Sequence, residues 1–294
     1  AQSGNGGVFV QDASGLEVGT VDPVAIQRVA ADGGSASQSV GVALAGLRTL
    51  AGNGHLLVAA AEELTVIQAV TAAGAGGVFL GAGGAMTVSA AVSSVTGNLH
   101  FLAQTDLLLQ AGASVQTAAP GHAVLEAVSG DLELAGSVLI SASDAVVRLR
   151  AGGELMLGRI QAQQVSLIAD GGSVLRAVGS PVNVAAQSLR ISASASLGLS
   201  NDPLQIQVTN LAAHAQAGNL FLLEADAVTV TSVTVTANAF GLDGLTTPQL
   251  DGALSGVQAL SGGHVVLRNL TGSLTVVQTV RSHGTGNVLL QASG

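Results

Sequence analysis

The sequence predicts an all-β fold of the parallel β-helix (β-solenoid) class, with three short strands and about 21 residues per coil. Two periodicities lead to this prediction. Apolar residues alternate with polar ones in short runs that end at Gly, Asn or Ser, as at Leu64, Thr65 and Val66. A glycine followed by a small or polar residue and an apolar strand also recurs at a longer spacing, which is the mark of a solenoid.

The longer period is regular along much of the chain. Gly54, Gly76, Gly97 and Gly121 are separated by 22, 21 and 24 residues. The same opening returns at Gly6, Gly218, Gly263 and Gly286. Leucine-rich repeats have a similar length, but their L-x-x-L-x-L signature does not occur here. The period therefore favours one coil of a β-helix.

Alternation within a coil assigns the two sides of each strand. In the first strand Val78, Leu80 and Ala82 are expected to point inward, because successive side chains face opposite sides of a strand. In the strand after it Leu64 and Val66 are expected to point inward and Thr65 outward.

One outward position is unexpectedly apolar. The residue between the first two inward positions of the first strand is apolar in seven coils, and we predict a lateral interface there: Phe9, Leu57, Phe79, Val124, Phe221, Val266 and Leu289. His100, Arg148, Ser166 and Arg190 occupy the same position in the middle coils. Soluble proteins rarely leave a large apolar patch uncovered. Either an inserted loop folds back over these residues, or they contact another solenoid.

A still longer repeat runs through the chain. Segments 54–78 and 263–288 share ten identical residues, and segment 6–18 aligns with 218–230. The period is thus about 210 residues, and residues 1–294 form one continuous solenoid with about one and a half copies. The segments near 22–53 and 236–262 are expected to be irregular insertions. The repetition predicts that the chain belongs to a longer protein.

The composition excludes several classes of function. Of 294 residues, only 9% are charged and 2% are aromatic, and the net charge is −9 with all nine basic residues being Arg. This charge, with no basic cluster, argues against nucleic acid as a partner. No apolar run is long enough for a transmembrane segment. The absence of cysteine excludes disulfides and thiolate metal sites.

Residues capable of catalysis or ligand binding are few, so we predict no catalytic residues, cofactors or metal sites. Glu62 and Glu63 are the only adjacent acidic residues, and a solvated turn explains them better than a glycosidase pair. His55, His122 and His264 share the turn position after glycine, but on coils too far apart for one zinc ion. Asn98, Asn219 and Asn287 hold the same position, and both Asn and His tolerate left-handed turns, so a stacked series of turns is the expected role. The G-G-x-G-x-D repeats that bind calcium do not occur.

The sequence GNLHFLAQTDLLLQAGASVQT at 97–117 and GGELMLGRIQAQQVSLIADGG at 152–172 resemble the repeats of the filamentous-haemagglutinin type of bacterial adhesin. The match to the loose G-x-L-x-L-x-A…L-x-L…V-x-L-x-A-x-G pattern covers nearly the whole chain. The resemblance implies a secreted, right-handed β-helix on the cell surface that serves as a stalk or adhesive fibre. No functional residue is carried over from it.

We therefore expect a non-enzymatic structural segment of an extracellular filament, sheath or adhesive fibre, which associates with itself through stacked coils and lateral contacts. An adhesin stalk that displays a binding domain to a host or neighbouring cell is the alternative. A β-helical enzyme acting on polysaccharides is the third possibility, since such enzymes share this architecture.

Overall fold

A computed structural model describes residues 1–293 and confirms the predicted fold class. Within those residues every regular element is a β-strand, and none is a helix. The strands stack in parallel as a β-solenoid of about 11 turns. Equivalent positions on successive coils are about 23 residues apart, slightly more than the predicted 21.

The early coils have three faces, numbered in chain order from the strand that follows the glycine. First-face strands are Val8–Asp12, Leu56–Ala60, Val78–Ala82, Leu99–Ala103 and Ala123–Ala127. Second-face strands are Leu16–Val18, Leu64–Val66, Met86–Val88, Leu107–Leu109, Leu132–Leu134, Leu155–Leu157 and Val174–Arg176. Third-face strands are Gln2–Ser3, Leu47–Thr49, Val70–Ala72, Ala91–Ser94 and Ser114–Ala118.

Later coils are built differently. Four long strands continue from the third face into the first, and they are Leu139–Ala151, Arg159–Ala169, Val184–Ala193 and Leu204–Ala215. The last coils contain Leu220–Glu224, Val228–Val230, Val257–Ala259, Val265–Asn269, Leu274–Val276, Val280–Ser282 and Val288–Gln291.

The coils stack in register, and their inward side chains form a continuous core. Val78 pairs with Leu56 on one neighbouring coil and with Leu99 on the other. All three are fully buried, as are Leu64 and Val66 of the second face. Fully burying such an aliphatic side chain contributes about 1.5–3 kcal/mol. Because each coil shares its apolar face with two neighbours, the core is stable only as a stack.

The two predicted insertions are regular antiparallel hairpins, which corrects the expectation of irregular structure. The first comprises residues 20–45, where Val24–Val29 pairs with Ser35–Val40 and Thr20–Val21 pairs with Leu44–Ala45. The second comprises residues 232–255, where Ser232–Phe240 pairs with Thr246–Ser255. The second hairpin therefore begins and ends a few residues earlier than the predicted 236–262.

The second copy of the repeat is rotated about the solenoid axis. Leu220–Glu224 corresponds to first-face strand Val8–Asp12, yet Leu220 pairs with Leu197 of the second-face column, and residues 222–224 pair with 204–206 of the third. Val257–Ala259 corresponds to a third-face strand but pairs with residues 213–215 of the first face. The strands of the second copy thus lie about one face further round than those of the first.

The turns of the two copies confirm their equivalence. Gly46 and Gly256 hold matching places, with φ angles of 67° and 77°. A Cβ atom at Gly46 would overlap the carbonyl oxygen of Ala69, and one at Gly256 would overlap that of Thr279, which is the matching residue. Both sites need glycine for its left-handed conformation and for the close approach of the next coil.

Gly256→Ala is expected to destabilise the protein far more than Gly244→Ala. Both glycines have a φ of 77°, but a Cβ at Gly244 meets nothing within 4 Å. The control should cost about 1–2 kcal/mol through the left-handed backbone alone. The additional overlap at Gly256 requires the neighbouring coil to move. Equal losses in urea unfolding free energy would show that coil spacing does not constrain this turn.

A carboxyl group lies inside the solenoid. Glu224 is fully buried, and its oxygens accept hydrogen bonds from the backbone N–H groups of Val208 (3.2 Å), Ala225 (2.9 Å) and Asp226 (3.2 Å). Burial raises the pKa of Glu224 to about 8, although the backbone donors oppose that rise. The folded protein therefore keeps this carboxyl protonated at neutral pH, where the unfolded chain ionises it.

Stability is expected to fall as the pH rises from about 5 to about 8, because the folded state then binds a proton that the unfolded state has released. One such proton costs at most about 1.4 kcal/mol per pH unit. Glu224→Gln, which is neutral and similar in shape, should reduce this slope. Denaturant unfolding of both proteins at several pH values measures the difference, and identical slopes would contradict a protonated Glu224.

Candidate interaction surface

The outward apolar position singled out in the sequence forms a continuous line along the first face. Register pairs Phe9 with Leu57, Leu57 with Phe79 and Phe79 with His100. The line then continues through the equivalent residues of later coils, which are Val124, Arg148, Ser166, Arg190 and Ala212. We call these nine residues the first rib.

The predicted lateral surface is divided between two faces, which corrects the expectation of a single line. Phe221, Val266 and Leu289 pair with one another in register, but Leu220 stacks on Leu197 of the second-face column. These three residues form a separate second rib, because the second copy is rotated about the axis. Phe221 and Val266 are half-buried, and Leu289 is 49% exposed.

Hairpin 232–255 covers most of the first rib, and we call it the covering hairpin. Its strand Ser232–Phe240 runs back along the first face from the coil of Ala212 to that of Leu57. Alternate hairpin residues pack onto the rib and bury it; these are Val233, Val235, Ala237 and Ala239. Leu57, Phe79 and Val124 are therefore buried within the chain and are not available to another rod.

The far end of the covering hairpin is fixed by one aromatic side chain. Phe240 packs on Leu57 and Phe79, and its ring lies 4.9 Å from that of His55. Gly77 makes room for it, since a Cβ there would lie 2.7 Å from the Phe240 ring. Phe9, one coil beyond Leu57, remains 67% exposed. Lateral contact with another rod remains a prediction for Phe9 and the second rib.

Beneath the hairpin, Arg148 of the rib is paired with carboxylates, whereas the Ser166 hydroxyl is buried without a hydrogen-bond partner among the described residues. Arg148 is buried and forms ion pairs with Glu126 and, at 2.9 Å, with Asp251 of the hairpin. Burial acts to raise the pKa of Glu126, but His100 and Arg148 lower it overall. Burial acts to lower the pKa of Arg148, but the two carboxylates raise it. Both groups are therefore charged under the hairpin.

Three histidines also hold the covering hairpin. His122 Nδ1 accepts the backbone N–H of Asn238 at 2.8 Å. His100 Nδ1 lies 2.8 Å from the carbonyl oxygen of Phe240, and His214 Nε2 lies 2.9 Å from that of Ser255. Burial lowers the pKa of His122 and of His214, where the Ser255 carbonyl opposes the shift. The neutral form of His122 is the one that can accept this hydrogen bond.

Hydrogen bonds between coils join the predicted series of turns after glycine. His55 Nδ1 accepts the backbone N–H of Gly77 at 2.9 Å, and His264 Nδ1 accepts that of Asn287 at 3.0 Å. Asn98 Oδ1 accepts the N–H of His122 in the same way, at 2.8 Å. Among residues 1–293, no group of three or more His, Cys, Asp or Glu side chains could hold a metal ion.

The acidic residues that the sequence raised as candidates are in solvent. Glu62 and Glu63 are exposed in a turn, as predicted. A polar groove of about 500 Å³ is lined by Ser141, Ser143, Asp144, Gln161, Ala162, Gln163, Ala185 and Gln187. Asp144 is the one carboxylate in that lining, whereas glycosidases commonly use two.

Sequence reasoning left two alternatives open, a folded-back insertion or another solenoid, and for Leu57, Phe79 and Val124 the cover is the insertion at 232–255. The available signal was the alternation in VTVTSVTVTANAF at 228–240, whose apolar residues after the solenoid strand now face the rib. The pairing of Arg148 with Asp251 had no signal in the sequence, because 103 residues separate the two.

Asp251→Ala is expected to loosen the covering hairpin. Removing one partner of a buried ion pair typically costs 3–5 kcal/mol, here on the order of the lower value because Glu126 still neutralises Arg148. The control is Asp170→Ala, which breaks the exposed pair with Arg150 and should cost about 1 kcal/mol or less. Hydrogen exchange of residues 232–255 measures the effect. Unchanged exchange in Asp251→Ala would mean that apolar packing alone holds the hairpin.

None of the described residues belongs to a helix long and apolar enough to cross a membrane. Comparison with known proteins finds no match to this chain among family models, curated proteins or solved structures.

Proposed function

We propose that this chain is a structural, non-enzymatic segment of a long secreted repeat protein that forms an extracellular filament, sheath or adhesive fibre. The observation that carries the proposal is the continuous in-register stack of coils in which a repeat of about 210 residues recurs with equivalent turns. A parallel solenoid lengthens by about 4.8 Å with each coil. Repetition of such a unit builds a rod.

Self-association is the proposed interaction, with the cell surface as the location. The second rib offers three stacked apolar residues, Phe221, Val266 and Leu289, on a face that the covering hairpin leaves open. Exposed apolar lines of this kind are typical of protein contacts. The low charge of the chain adds little repulsion between neighbouring rods. Its resemblance to filamentous-haemagglutinin-type adhesins supports a bacterial surface fibre.

The proposal of no enzymatic activity rests on how the polar groups are used. Glu126 and Asp251 are both paired with Arg148 beneath the hairpin. Glu224 is enclosed in the solenoid by backbone donors. None of these three carboxyls faces the polar groove next to Asp144, whose lining they do not share.

A second candidate is an adhesin stalk that works as a single rod and displays a separate binding domain to a host or neighbouring cell. The covering hairpin favours this candidate, because it buries Leu57, Phe79 and Val124 within one chain. A single rod needs such a cover, whereas a bundle could bury the same residues between rods.

Imaging by cryo-electron microscopy and sedimentation at rising concentration separate the two candidates. We expect rods that associate side by side and that Val266→Arg disperses, because the new charge would be buried at the contact. Thr275→Arg is the control, since Thr275 is exposed on another strand of the same coil. Single rods at every concentration would reject lateral association and leave the stalk as the better function.

A further inference from the structure

The first hairpin, residues 20–45, exposes an apolar surface, and we call it the exposed hairpin. Both of its longer strands are exposed throughout. Val24 is 64% exposed, Ile26 40% and Val29 75%. A two-stranded hairpin is marginally stable by itself and normally needs an apolar surface to pack against.

The exposed hairpin has the same build as the covering hairpin. In one, Gly33 has a φ of 79° and Gly34 donates its N–H to Asp32 Oδ1 at 2.9 Å. In the other, Gly244 has a φ of 77° and the N–H of Leu245 is donated to Asp243 Oδ1, also at 2.9 Å. The two turns therefore have the same hydrogen bonds at matching residues.

This match fixes which residues correspond. Counting back from the turns, Val24, Ile26 and Val29 correspond to Val235, Ala237 and Phe240. Those three residues of the covering hairpin are buried on the first rib. The exposed hairpin thus presents apolar residues at three of the five positions that its counterpart uses for packing. Asp22 and Arg28 stand at the other two, which Val233 and Ala239 occupy in the covering hairpin.

Rotation between copies determines which surface each hairpin can reach. The covering hairpin leaves the second copy next to the first face, which carries the rib of the first copy. The exposed hairpin leaves between Leu16–Val18 of the second face and Leu47–Thr49 of the third. Each copy is rotated by about one face relative to the copy before it. The rib of the preceding copy would therefore lie on that third face.

The length of the hairpin suits this position. Strand Ser232–Phe240 spans about 30 Å at 3.4 Å per residue, which equals about six coil spacings. Residues 20–29 of the exposed hairpin span a similar distance. The exposed hairpin is therefore long enough to run back along a rib, from the last coil of that rib to its aromatic end.

We propose that the exposed hairpin is a clasp, meaning a hairpin that holds the preceding copy of the repeat in a tandem array. It covers the rib of that copy as residues 232–255 cover the first rib. The proposal deepens the proposed function and rests on its premise that copies of the repeat follow one another. Each junction between copies would then be joined by stacked coils and also by a hairpin that lies along the preceding coils.

A tandem chain tests the proposal: residues 1–217 followed by residues 6–294, so that Gly6 takes the place of Gly218. In the second unit, three substitutions match the exposed hairpin to the first rib. Asp22→Val, Arg28→Ala and Val40→Asp supply the residues that the covering hairpin has at positions 233, 239 and 251. The chain has no cysteine, so Val29→Cys in that unit and Phe79→Cys in the first form a specific pair for a short thiol crosslinker.

We expect an intramolecular crosslink with a yield close to that of Phe240→Cys with Phe79→Cys in the original chain. Gln27→Cys is the matched control, because Gln27 corresponds to Asn238, whose neighbours Ala237 and Ala239 point to the rib. Amides of the second unit's hairpin should exchange on the order of tenfold more slowly than those of residues 20–45 in the original chain.

The outcome that overturns the clasp is a tandem chain that is longer by X-ray scattering but has an unprotected hairpin and no crosslink from Val29→Cys. Stacking of copies, and with it the proposed filament, would survive that result. If the tandem chain does not fold, residues 21–44 can replace 232–255 in the original chain, since both segments have the same length. Failure of the same crosslink in that folded chain would also overturn the proposal.

Discussion

Parallel hydrogen bonding between successive coils is the interaction on which the rest of this molecule depends. It places each residue over its equivalent in the neighbouring coil, as with Leu56, Val78 and Leu99. An inward leucine thereby becomes part of a continuous core, and an outward one becomes part of a line. The same close spacing explains why Gly46 and Gly256 must lack a side chain, because the adjacent carbonyl oxygen occupies that space.

A line of outward apolar residues requires a cover, and the chain supplies its own. The covering hairpin buries Phe79 and Val124, and it meets Arg148 with Asp251 where the rib becomes polar. Apolar packing provides much of the attachment, whereas the ion pair fixes the hairpin at one position along the rib. Arg148, Glu126 and Asp251 under this hairpin thus serve to hold it on the solenoid.

Rotation of one face per copy changes how the repeat works. Without it, every rib and every hairpin would lie on one side of the rod. With it, Phe221, Val266 and Leu289 emerge on a new face while the hairpin of their copy lies on the rib of the copy before. The hairpin of one copy thus covers the rib of the copy before it. Lateral contacts through the exposed ribs would point in different directions around the axis.

The sequence by itself determined the solenoid, the inward and outward residues of each strand and the equivalence of the two copies. These features follow from local alternation and from glycine spacing, and both patterns can be recognised in the sequence without knowing which distant residues touch. Only the tertiary structure decided which ribs are covered, because the contact between Phe240 and Phe79 joins segments far apart in the chain. It also decided that the predicted interface is two ribs, since the rotation depends on how residues 197–224 stack and not on their alternation.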